Sequence, residues 1–198
     1  MLAVSLESFA DYQANQAWTW EHMALIRARP LFGSPAGRAA LAAVVARTLD
    51  RDRDPIKLVA DAVRMRGEIA AHKPGRGALD IKHRRGGLID LEFAVHILQL
   101  RHRVGIRPRL EEALADLAAA GLVPAEIDPA LRLMTRILVM LRLVSPDTAE
   151  PPPATRPLLA RACGVESWDE LLAGLAEARQ RVWDLWRDVT GEEEGLEC

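Results

Sequence analysis

Hydrophobic positions along this chain recur with the spacing of a helix and almost nowhere with the alternation of a strand. Ser5 is placed to cap a short helix over residues 6–14, with Leu6 and Phe9 on one side. Helical spacing resumes over residues 17–29 and stops at Pro30, and the pair Trp18 and Trp20 within it reads as core packing, with His22 solvated or hydrogen-bonded. Ser34 and Pro35 read as the cap and first position of an alanine-rich helix to about residue 49. Asp54 caps the next, over residues 55–72, with Leu58, Val59, Ala62, Met65 and Ile69 on one face. Residues 88–103 are the most apolar segment; only Glu92, His96, Gln99 and Arg103 form a polar stripe, which predicts a central helix covered on most sides. Further helices are expected over 110–120, from Pro129 to just before Pro146, over 156–162, and from a Ser167 cap to about residue 189. Residues 147–153, with three successive prolines, read as an exposed extended connector. The predicted fold class is all-α, a multi-helix bundle.

Composition narrows the function classes. At 198 residues, 49% hydrophobic and 27% charged, the chain has the make-up of a soluble globular protein, and its formal net charge of −2 argues against a general nucleic-acid binder. No apolar stretch reaches membrane-spanning length, the first residues lack a signal-peptide pattern, and Cys163 and Cys198 make neither a disulfide framework nor a zinc site. A cytoplasmic protein without nucleic-acid or membrane partners is expected, with residues 191–198 a disordered acidic tail. Asp50, Asp52, Asp54 and Asp61 fall at calcium-loop positions, but Pro55 stands where glycine is needed; the segment reads as a solvated turn, and no metal site is expected.

Residues 73–93 hold the candidate chemistry. Lys73, Arg76, Lys82, Arg84 and Arg85 are opposed there only by Asp80 until the helix begins. Gly86 and Gly87 then precede the apolar helix, an arrangement that lets backbone N–H groups approach an anion such as phosphate. The alternative is a plain turn, with Asp90 and Glu92 stabilising the helix start by their charge. Glu92 and His96, four apart, read as a surface pair rather than metal ligands.

Lys82, Gly86, Gly87, Asp90, Glu92 and Phe93 resemble a segment of the glutamine synthetase adenylyltransferase/deadenylylase family, in which Lys-x-Gly-Pro-Gly-Gly is followed, two residues on, by Asp-Ile-Glu-Phe. The likeness extends through residues 5–9, 17–25 with Arg27, Ala28 and Arg29, Met65 and Arg66, and residues 98–102. It implies an enzyme with nucleotidyltransferase domains, each followed by a helical domain, that attaches AMP from ATP to glutamine synthetase or removes it, in nitrogen regulation under the PII signal protein. Residues 1–33 would then be the terminal helices of a nucleotidyltransferase domain and 34–190 a helical domain. The family's Gly-Ser segment, Asp-x-Asp pair and third carboxylate have no counterpart here, so no catalytic residue is assigned and the chain alone is expected to be inactive. ATP and Mg²⁺ belong to the complete enzyme, with neither held tightly by this chain. The resemblance assigns phosphate charge to Lys82, backbone approach to Gly86 and Gly87, loop-holding or a catalytic contact to Asp90 and Glu92, and positioning to Arg27, Arg29 and Arg66. Arg84 and Arg85 depart from the family's Gly and Pro, and His83 from a common apolar residue. The rival reading is a non-catalytic helical module that docks PII protein or glutamine synthetase.

Overall fold

Serine and aspartate caps mark where the chain turns into helices, and the structure, a computed structural model, describes residues 4–144 and 150–192. Among these residues there are nine helices and no strand: α1 (Leu6–Asn15), α2 (Thr19–Leu25), α3 (Pro35–Leu49), α4 (Pro55–His72), α5 (Leu88–His102), α6 (Leu110–Ala119), α7 (Ile127–Val144), α8 (Arg156–Cys163) and α9 (Trp168–Thr190). The side chains of Ser5, Ser34 and Ser167 each accept from a backbone N–H three residues on, and Asp54 accepts from Ile56 and Lys57.

The bundle is organised around α5. It packs against α9, α4, α6 and α2, while α9 also lies against α7 and α8. From Leu88 to Leu100 every residue except Glu92 and Phe93 is buried. Leu91, Val95 and Ile97 meet Leu58 and Ala62 of α4, Leu114 and Leu117 of α6, Met134 and Ile137 of α7, and Leu175, Val182 and Trp186 of α9 in one core. At 23 residues, α9 is the longest helix, a rod of about 35 Å.

Several expectations are corrected. α2 has seven residues rather than thirteen, and it buries His22 and Met23 while leaving Trp18 and Trp20 at 55% and 42% exposure. The tryptophans are therefore not core; Trp18 sits at the helix start with the Arg64 guanidinium 5.2 Å from its ring centroid. α7 begins at Ile127, two residues before Pro129, because a proline in the first turn gives up only an N–H that has no helical partner. The proline segment is not simply exposed and extended: Pro151 is buried, its carbonyl accepts from Arg156 Nε at 3.1 Å, and the Pro152 carbonyl accepts from Thr155 N. Its first residues, 147–149, and the tail from 193 to 198 with Cys198 lie outside the described residues. Of the expected tail, Glu192 is held, accepting from Trp186 Nε1 at 2.5 Å.

Candidate functional site

The basic stretch between α4 and α5 is a pinned loop. The Asp80 carboxylate accepts from the backbone N–H groups of Arg76, Lys82 and His83 at 3.1, 3.1 and 3.0 Å and lies 3.1 Å from His83 Nδ1. Burial works to raise its pKa, but the bonds from His83, Arg76 and Lys82 outweigh it and hold the group below the usual carboxylate range. From α9, Arg179 donates to the carbonyls of Ala78 and Asp80, both at 2.8 Å, and the Arg85 guanidinium lies 3.8 Å over the Trp183 ring centroid. Sequence reading missed both anchors. Asp80, three residues before His83 in a turn-forming stretch, carried the signal of an Asx turn; Arg179, a hundred residues away, carried none.

Asp90 and Arg66 converge beneath the loop. Asp90 is 1% exposed, ion-paired with Arg66 Nε, and accepts from Gly86 N at 2.6 Å; Arg66 Nη2 also donates to the His83 carbonyl at 3.0 Å. Burial keeps the Asp90 pKa above its ordinary value in spite of the guanidinium. The amides at the helix start are already used: Gly87 N donates to Arg84 O at 2.8 Å, Leu88 N to Ile81 O at 3.0 Å and Ile89 N to Lys82 O at 3.2 Å. The glycines thus serve a turn rather than an anion cradle. Gly86 has φ +69° and its Cα faces the α9 backbone at Arg179, while a Cβ on Gly87 would lie 2.6 Å from Arg84 O.

Above this layer, Lys82 lines an open groove of about 440 Å³ with Lys73, His72, His83, Glu68 and Glu92 around a floor of Met65, Ile69, Ile89 and Phe93. Glu92 faces Arg27 of the segment after α2, at 3.7 Å. Of the sequence candidates, Lys82 and Glu92 share this groove, Arg27 reaches it through Glu92, Arg66 and Asp90 support it from below, and Arg29 is exposed on the turn after α2. The aspartates of the would-be calcium loop are dispersed: Asp54 caps α4, Asp52 pairs with Arg103, and Asp61 pairs with Lys57 and Arg64. Among the described residues no three His, Cys, Asp or Glu side chains converge as metal ligands would.

His96 is not half of a surface pair. It is buried on α5 beside a cavity of about 70 Å³ that Arg27, Glu92, Gln99 and Arg107 also line, and burial, with a smaller push from Arg27, lowers its pKa to about 4. An unfolded histidine titrates near 6.5, so between roughly pH 6.5 and 4 the unfolded chain binds the extra proton and stability falls as pH falls. Burial shifts His22 in the same direction. Urea unfolding is expected to lose on the order of 3 kcal/mol through His96 across that window. The loss should be absent from a His96→Gln chain compared at each pH, and parallel curves would sink the assignment.

Two protein families match successive parts of the chain. Residues 1–44 match the glutamate-ammonia ligase adenylyltransferase family, and residues 62–190 match the GlnD PII-uridylyltransferase family. Bifunctional glutamine synthetase adenylyltransferase/adenylyl-removing enzymes are similar over most of the chain. That of Bradyrhizobium sp. (strain BTAi1) is 37% identical over 91% of this chain and 20% of the relative. The Brucella suis protein is 39% identical over 89% and 19%, and that of Bordetella bronchiseptica 39% over 87% and 19%. The chain therefore spans about one fifth of the length of these curated relatives.

Proposed function

We propose that the chain, whose residues 62–190 place it in the GlnD PII-uridylyltransferase family and which is similar to bifunctional glutamine synthetase adenylyltransferases over 87–91% of its length, is the helical part of an enzyme that transfers AMP from ATP to glutamine synthetase or removes it. The observation that carries this reading is the likeness along 87–91% of the chain. In this reading PII protein sets the direction of the reaction, the setting is cytoplasmic, and residues 1–33 are the last helices of a nucleotidyltransferase domain. The apolar side chains left in water there support that assignment: Trp18, Trp20, Leu31 and, at 90% exposure, Phe32.

The groove supplies charge and shape rather than chemistry. Lys82 and Lys73 offer ammonium groups to phosphate oxygens, the floor from Met65 to Phe93 offers apolar surface, and the Glu92–Arg27 pair ties the groove to the N-terminal segment. The residues present do not fit Mg²⁺: the groove offers two carboxylates, Glu68 and Glu92, of which Glu92 faces Arg27, and among the described residues no three His, Cys, Asp or Glu side chains converge.

Titration of MgATP into the isolated chain, followed by NMR, tests the groove. Binding weak enough for a dissociation constant on the order of 1 mM is expected, with shifts at Lys73, Lys82 and His83. Lys82→Ala should weaken it about tenfold with an unchanged melting temperature. Shifts confined to other surfaces would overturn the groove's role. No nucleotide binding alongside retained association with glutamine synthetase or PII protein would favour the docking module instead.

A further inference from the structure

Arg179 is half-buried against the loop, where its buried Nε has no hydrogen-bond partner and no carboxylate lies within ion-pair distance among the described residues. Such burial costs a guanidinium much of its hydration. What the side chain gains is two neutral acceptors, the carbonyls of Ala78 and Asp80, each at 2.8 Å. Those acceptors stand just before the two residues that reach the groove, and the Asp80 side chain holds the amides of both Lys82 and His83. From α9 the path therefore runs through one hydrogen bond to Asp80 and through a second to the backbone that carries the groove's cation. Arg84 crowds the same place with like charge, and the Arg85 stack on Trp183 ties the next turn of the loop to the same helix.

We infer that Arg179 is a positioning residue for the groove, acting through Asp80 to fix where Lys82 and His83 stand; this rests on the reading of the groove as the anion-facing wall. The α9 helix then sets the affinity of a surface that none of its own side chains lines.

The test uses the full chain, ¹⁵N-labelled, with MgATP as probe and amide hydrogen exchange as a second readout. Arg179→Ala should weaken MgATP binding about tenfold and speed exchange at Lys82 and His83 at least about tenfold, while Met134 in the α7 core exchanges as before. Arg179→Lys, which reaches one carbonyl, should recover about threefold of the affinity. Lys82→Ala should lose affinity with exchange at His83 unchanged. If Lys82→Ala weakens binding and Arg179→Ala does not, the positioning role is wrong and the groove stands. If Lys82→Ala has no effect, the groove reading fails and the inference falls with it. Should Arg179→Ala not fold, Arg179→Lys and Asp80→Asn carry the test, and full affinity in both overturns the proposal.

Discussion

Gly86→Ala is expected to destabilise the chain by about 2–5 kcal/mol, at its upper end close to the loss of the whole fold for a domain of ordinary stability. Two costs add. A residue with a Cβ at φ +69° is strained by about 1–2 kcal/mol. The Cβ would also stand 2.8 Å from the Arg179 carbonyl carbon, closer still to its oxygen, and backbone on both sides has to move, at about 1–3 kcal/mol more. Gly77 separates the two costs, because it has φ +68° in the same loop and an added methyl there would meet nothing within 4 Å. Gly77→Ala should therefore cost only the first part, about 1–2 kcal/mol. Equal midpoints for the two variants in urea would show that the approach of the loop to α9 is not what demands glycine.

Arg66→Met should cost about 3–5 kcal/mol, since it leaves the Asp90 carboxylate buried with backbone amides alone for partners. Arg66 also holds the His83 carbonyl, so the loop loses a second anchor. The pH dependence identifies the cause. With the guanidinium gone, the folded pKa of Asp90 rises further above its unfolded value, and stability of the variant falls as pH rises through the carboxylate range. The cost of the substitution should shrink toward acidic pH, and adding Asp90→Asn should recover about half of it at neutral pH. A cost independent of pH, with no recovery in the double variant, would assign the loss to packing of the Arg66 stem.

How much of this was legible follows the range of the interactions involved. The starts of α1, α3, α4 and α9 were readable because Ser5, Ser34, Asp54 and Ser167 act on amides two or three residues away. The central position of α5 was readable from its apolar circumference. Misplaced elements are those that tertiary contacts decide: the α2 tryptophans face water because the other side of a seven-residue helix, with His22 and Met23, takes the core. His96 falls inside because α6 and the turn at Pro108 cover what was a polar stripe on paper. In the candidate site, Lys82, Asp90 and Glu92 were singled out by resemblance and local pattern, but their division by depth was not. Asp90 and Arg66 form the buried support while Lys82 and Glu92 face the groove, a distinction of depth that residue spacing does not carry. The departures at Arg84 and Arg85 also acquire a reason at long range: Arg85 lies on Trp183 and the Arg84 stem fills the space above Gly75.

The position of the longest rod in the order of synthesis has its own consequence. Residues 168–190 supply Leu175, Val182 and Trp186, yet they leave the ribosome after every helix they cover. At about 5–20 residues per second, the nascent chain spends on the order of two to nine seconds with α5 and α7 already made and one flank still wet. Translation speed across these codons thus sets how long a half-roofed bundle is open to misassociation, and a premature stop before residue 168 yields a product suited to chaperones and proteases rather than to a smaller stable domain.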